Sequence, residues 1–141
     1  MNAPARRRHP AWILAGSAAA GLAAVAILAS IQTRSAPSHH PTPRSAAEAG
    51  PVQNAALYAA YPRVEETYRM AAAVPQVLDG LYCYCDCSEN LGHYSLLECF
   101  QSDHAAGCDV CLSEALTAYR MTQQGASLAA IRKAIDDVYG A

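Results

Sequence analysis

Residues 83–111 read CYCDCSENLGHYSLLECFQSDHAAGCDVC, and this stretch holds all six cysteines of the 141-residue chain: Cys83, Cys85, Cys87, Cys99, Cys108 and Cys111. Spread evenly through an exported domain, six cysteines would read as a disulfide framework. Their spacing argues otherwise. In Cys83-Tyr84-Cys85-Asp86-Cys87 neighbouring sulfurs are too close in sequence for unstrained bridges. An extended stretch would turn alternate side chains to one face and present three thiols together. Downstream, the spacing predicts a single helix from about Asp103 to Gln124. His104, Cys108 and Cys111, at steps of four and three, would share one of its faces. Cys99 ends a short helix just before, and His93 sits in the turn between the two groups.

Soft thiolates select copper(I), zinc or iron–sulfur clusters. A mononuclear zinc site takes four ligands and leaves two cysteines over. Iron–sulfur clusters usually use four cysteines at other spacings, and an exported protein would have to receive its cluster elsewhere. Copper(I) forms sulfur-bridged clusters, so six thiolates favour several copper(I) ions in a multinuclear centre, with zinc as the alternative. The candidate ligands are Cys83, Cys85, Cys87, Cys99, Cys108, Cys111, His104 and His93.

The competing class is a thiol–disulfide oxidoreductase built on Cys108-Asp109-Val110-Cys111. A reactive cysteine wants a helix N-terminus or a cationic neighbour. The expected helix instead places this pair a turn or more from its start, with Asp109 and Glu114 opposing a thiolate, and no βαβ pattern surrounds it. A zinc- or disulfide-stapled interaction module is a third class. Glu98 is read as the capping partner of Ser95. Tyr82, Tyr84 and Tyr94 are read as shields around the sulfurs, and Met70 and Met121 as core filler. No Ser–His–Asp set, phosphate-cradling glycine loop or paired-carboxylate motif marks a catalyst.

Around the cysteines the signals are helical, and no stretch alternates apolar and polar residues as a half-buried strand would. Asn54 to Tyr61 is Ala-rich and is expected to stop at Pro62. Arg63 to about Ala73 carries Val64, Tyr68 and Ala71 at helical spacing, until Pro75 breaks it. Ser95-Leu96-Leu97-Glu98 has the form of a capping box. A last helix follows a Ser127 N-cap, with Leu128, Ile131, Ile135 and Val138 on one face, and ends at Gly140. The expectation is an all-α domain over 53–141, with four or five short helices and a cysteine-rich loop. A core that small gains from a metal or from disulfides.

The rest of the chain differs in kind. A 52% hydrophobic share excludes a wholly disordered protein, and a net charge of −2 argues against nucleic acid as a partner. That charge hides +4 over residues 1–34 (Arg6, Arg7, Arg8 and Arg34, with no acid) and −6 over the remainder. Ala11 to Ile31 carries no charge and is long enough to span a bilayer as a helix. The arginines before it would keep the N-terminus cytoplasmic. Residues 1–31 are therefore read as a basic cap and transmembrane anchor, with the C-terminal domain extracytoplasmic. A cleaved signal peptide and secretion is the alternative, although no clean small-x-small site follows the run. Residues 32–52, with Pro37, Pro41, Pro43 and Pro51, read as a flexible linker. Within it, His39-His40 is read as a solvated pair in preference to a metal site.

Residues 81–115 resemble a family of bacterial exported proteins, many of them lipoproteins, defined by a PCYCGC motif. The matching stretches are Cys83-Tyr84-Cys85-x-Cys87, Gly92-His93-x-Ser95-Leu96-x-x-Cys99-Phe100 and His104-Ala105-x-x-Cys108-x-x-Cys111-x-x-Glu114-Ala115. Weaker similarity runs on through Gly125, Ile131, Ile135 and Tyr139-Gly140. Tyr82 stands where the motif has proline and Asp86 where it has glycine, and no lipidation cysteine follows the apolar run. The resemblance implies a place outside the cytoplasm and a cysteine-centred site. Taken with the ligand set, the expectation is a membrane-anchored copper-holding or copper-delivering protein. Its partners would be the membrane and a copper donor or acceptor, with holding or delivery preferred to catalysis and the thiol–disulfide oxidoreductase kept as the alternative.

Overall fold

Proline, glycine and one buried ion pair set the element boundaries. The computed structural model describes residues 39–140, all of which fall in the compact unit Ser38–Ala141. Among the described residues there are seven α-helices and no strand: α1 (Ala46–Ala49), α2 (Pro62–Ala73), α3 (Pro75–Asp79), α4 (Cys87–Asn90), α5 (Leu96–Cys99), α6 (Asp109–Gln123) and α7 (Leu128–Tyr139). Two 3₁₀ turns, Ala55–Tyr58 and His104–Gly107, complete the order. The all-α expectation holds, with more and shorter pieces than the periodicity suggested.

Three boundaries differ from expectation. Pro62 begins α2 instead of ending a helix, because a proline at the first helical position gives up an N–H that has no intrahelical acceptor anyway. The Ala-rich stretch before it is only a 3₁₀ turn, capped by Asn54 Oδ1, which accepts from the Ala56 N–H at 3.0 Å. The single helix expected over 103–124 is two elements, broken where Gly107 meets an extended Cys108 (φ −123°, ψ 107°). Glycine in a helix interior carries an entropic penalty, and the chain turns there instead. The Ser127 cap is present, its Oγ accepting from the Ala130 N–H at 3.3 Å. Val138, placed by periodicity on the buried face, is 67% exposed.

The core joins α2 to α6 and α6 to α7. Tyr68, Leu78, Leu81, Leu96, Leu97, Phe100, Ile131 and Ile135 are fully buried. Tyr68 lies between Tyr58 (centroids 4.2 Å, rings tilted) and Phe100 (5.0 Å, edge to face). Its hydroxyl donates to the Ser102 carbonyl at 2.6 Å, so a large apolar ring is buried with its polar end satisfied. This contact holds the loop between Cys99 and His104 against the core.

Residues 39–44, expected as part of a flexible linker, are instead a strap across the domain. Arg132 Nη2 donates to the Pro41 carbonyl (2.7 Å) and the Tyr94 hydroxyl to the Thr42 carbonyl (2.6 Å). Gly80 lets the strap lie close, since a Cβ there would meet Pro43 Cγ at 2.8 Å. Arg44 then locks it. Its Nη2 reaches Asp79 Oδ1 at 2.6 Å, its backbone N–H donates to Oδ2 at 2.6 Å, and its Nη1 pairs with Glu98 at 2.9 Å. Asp79 is fully buried; burial alone would raise its pKa, but the Arg44 and Ser95 bonds outweigh it and hold the carboxylate below its ordinary value. The capping box expected at Ser95 is thereby dissolved. Ser95 Oγ donates to Asp79 at 2.8 Å, and Glu98 Oε2 accepts from the Tyr94 N–H at 2.7 Å.

The anchor or signal reading of residues 1–31, and the start of the linker at 32–38, lie outside the described residues. Among the described residues no helix is long and apolar enough to cross a membrane. Replacing Arg44 with alanine strands a buried carboxylate. We expect Arg44→Ala to lower stability by about 2–4 kcal/mol in urea unfolding of the metal-free protein followed by circular dichroism. An unchanged midpoint would show that the strap contributes nothing.

Candidate metal centre

The sulfurs converge, though not by the route their spacing implied. Leu81 is pinned by the Leu96 N–H on its carbonyl (2.8 Å), and Tyr82 and Cys83 follow it outside any regular element. Residues 84–86 then form a turn and Cys87 opens α4, so the three thiols are gathered by a bend and not by a strand. Their sulfurs lie 3.1 Å (Cys83–Cys85) and 3.0 Å (Cys85–Cys87) apart. Cys111 Sγ is 3.5 Å from Cys83 and 3.4 Å from Cys85, and Cys99 Sγ is 3.7 Å from Cys83. All six thiols are free; Cys83, Cys87, Cys99 and Cys111 are buried, Cys85 and Cys108 half-buried.

Two imidazoles border the nest. His104 Nε2 is 3.0 Å from Cys87 Sγ, and His93 Nδ1 is 3.3 Å from Cys99 Sγ. Their rings meet edge to face at 5.4 Å. Two sets of four donor atoms result, each within a 4.8 Å span: Cys83, Cys87, Cys99 and Cys111, and Cys85, Cys87, Cys111 and His104. They share Cys87 and Cys111. Two of the expected ligands fall outside both sets, since Cys108 rests beside Cys111 and His93 against Cys99. The expected helical face of His104, Cys108 and Cys111 does not exist, because the break at Gly107 and Cys108 intervenes. His104 reaches the sulfurs by tertiary packing.

The same break moves the C-x-x-C pair. Cys108 is the N-cap of α6 and Cys111 lies in its first turn, so the pair stands at a helix start after all. That position favours a thiolate. The surroundings win against it: the Cys83 contact lowers the pKa of Cys111, while the Cys99 contact and burial push it up on balance. Cys83 is raised by its contact with Cys111 and by burial, against a lowering contact with Cys99. In the metal-free protein these buried groups are neutral thiols.

Glu114 is the residue the sequence reading undervalued. It follows Cys111 by three positions, which places both on one face of α6, and that spacing was its available signal. It is fully buried; Oε1 accepts the Tyr84 N–H at 3.1 Å, and Oε2 has no hydrogen-bond partner among the described residues. Burial pushes its pKa up to about 7. An orphaned carboxylate oxygen beside buried thiols is costly unless a cation joins them.

A third group, His39, His40 and Asp136, also falls within 4.8 Å. Its hydrogen bonding argues against a metal. His40 Nδ1 accepts the Tyr82 N–H (2.9 Å), so its Nε2 carries the proton donated to Asp136 Oδ1 (2.7 Å). Coordinating histidines instead donate through the ring nitrogen that faces away from the metal. The Tyr84 hydroxyl donates to the same Oδ1 at 2.5 Å and accepts from His39 at 2.6 Å. The pair expected to be solvated is thus a latch, with His40 buried, that fixes Tyr84 between two cysteines.

A family model described as "Protein of unknown function with PCYCGC motif" matches residues 47–141. The chain belongs to the PCYCGC family. No curated protein and no solved structure matches it. The family match begins within the stretch expected as linker, just after the docked strap of residues 39–44. At the glycine of PCYCGC this chain has Asp86, whose φ of 59° lies in the left-handed region that glycine favours. Aspartate is among the few other residues that tolerate it, so the turn survives the substitution.

Glu114 gives the metal-free protein a defined pH response. Its carboxyl ionises near 4.5 when unfolded and near 7 when folded, so the folded state binds the extra proton between these values. The resulting stability is full below pH 4.5 and is lost as pH rises through 7, a change of up to about 3 kcal/mol. Glu114→Gln should remove this slope in thermal unfolding between pH 5 and 8. A constant offset from the parent across that range would contradict it.

Proposed function

We propose that this PCYCGC protein holds copper(I), as at least two ions in its thiolate nest, and passes it to or from a partner outside the cytoplasm. The observation that carries the reading is the convergence of five sulfurs at separations of 3.0–3.7 Å, with His104 beside them. Five sulfurs and one imidazole nitrogen form a soft donor set, richer in sulfur than one four-coordinate ion uses. Buried thiols with raised pKa values surrender their protons when a metal takes their place, which links loading to proton release. The arginine-capped uncharged run before Gln32 supports a membrane-anchored, extracytoplasmic setting. The partner chemistry is a copper protein that offers thiolates of its own, and no feature of the nest calls for catalysis.

Zinc is the second reading. It is favoured by one observation, the Cys₃His composition of the set formed by Cys85, Cys87, Cys111 and His104.

Anaerobic purification with metal analysis and thiol titration separates these readings. Copper(I) loading should give two or more ions per chain with the nest thiols protected. Cys111→Ser, which removes a sulfur common to both sets, should lose more copper than Cys108→Ser, which removes one outside them. A single zinc per chain would favour the second reading. Disulfides without metal would overturn both.

A further inference from the structure

Resting on the copper-holding reading, we infer that the nest is divided into a retaining inner site and an exchanging outer site. The ion handed to a partner is the one held by Cys85 and His104. The two donor sets share Cys87 and Cys111, so they differ only in their remaining members. Those of the inner set, Cys83 and Cys99, are 3% and 0% exposed. Cys83 lies in the core, and Cys99, at the end of α5, is backed by the His93 ring. Those of the outer set are half-buried. Cys85 sits within the turn 84–86 beside the exposed Asp86, and His104 opens a 3₁₀ turn beside the exposed Asp103.

Ligand exchange requires an incoming donor to touch the metal before an outgoing one leaves. Only the outer set offers solvent-facing ligands for such an approach. Its imidazole is also the one neutral donor among thiolates, and copper(I) prefers sulfur. The exchange involves no change of oxidation state: a first copper–sulfur bond to the acceptor forms as the bond to the His104 nitrogen breaks, further acceptor sulfurs then replace the copper bonds to Cys85, Cys87 and Cys111, and the acceptor's thiol protons pass to the freed imidazole and thiolates. Half-buried Cys108, next to Cys111 and outside both sets, lies where it can take a copper–sulfur bond during the hand-over. The acceptor is therefore a protein presenting accessible thiolates, and the inner ion stays behind as part of the folded core.

The test uses the full chain loaded anaerobically with one copper(I) per donor set, then mixed with bicinchoninate, a chromophoric copper(I) chelator. Release should occur in two phases of equal amplitude. His104→Ala and Cys85→Ser should lose the fast phase and keep the slow one, whereas Cys99→Ser should lose the slow one. Circular dichroism confirms that each variant is folded, and the biphasic release of the parent protein needs no variant. Copper that binds fully but leaves in a single phase would overturn the division while leaving the copper-holding reading intact. Retention of both phases in His104→Ala would do the same. Failure to load any copper would overturn both.

Discussion

Burying ionisable groups together is the constraint on which the rest of this structure depends. Four cysteines and a glutamate are withdrawn from water at one place, with the sulfurs in contact and one carboxylate oxygen unpartnered among the described residues. Neutral thiols tolerate such burial, but a carboxylate and several thiolates do so only with a cation among them. The metal-free fold therefore favours the protonated forms of these groups, and the same cluster could hold a metal ion in place of the protons. Contacts among the sulfurs, together with burial, raise the pKa values of Cys83, Cys99 and Cys111 on balance, and burial raises that of Glu114.

The scaffold reads as a means of holding short, weak elements at this one place. Helices of four or five residues are marginal on their own. Each that carries a cysteine is fixed from outside itself. α5 is backed by Ser95 on the buried Asp79, and Asp79 in turn takes Arg44 from the strap. The turn at residues 84–86 is held at both ends of Tyr84, by Glu114 on its backbone and by the Asp136 latch on its hydroxyl. The strap and α7, distant in sequence from the cysteines, thereby set the geometry of the sulfur nest.

Much of this was legible in the residues, and the errors share a physical cause. Helical class, the Ser127 cap and the clustering of thiols followed from local chemistry and spacing. Cys83, Cys85 and Cys87 were correctly grouped, though by a turn whose key is the left-handed Asp86 and not by a strand. What failed were inferences that needed partners far along the chain. Ser95 and Glu98 have the pattern of a cap, but Asp79 and Arg44 claim their side chains. His39-His40 has the composition of a linker, but Asp136, nearly a hundred residues away, orders it. His104 has the spacing to share a helical face with Cys108, but the chain breaks at Gly107 between them. Glu114 has the local signature of a charge opposing a thiolate, because its burial is not written in its neighbours.

The central claim is that five of the six cysteines, with His104, build a shared sulfur centre for more than one metal ion, with copper(I) as its cargo. X-ray absorption at the copper edge of the anaerobically loaded full chain tests this most directly. The expected spectrum is that of copper(I) in a shell dominated by sulfur, with a second copper as a near scatterer because Cys87 and Cys111 bridge the two sets. A shell of nitrogen and oxygen, or isolated copper with no metal neighbour, would contradict it.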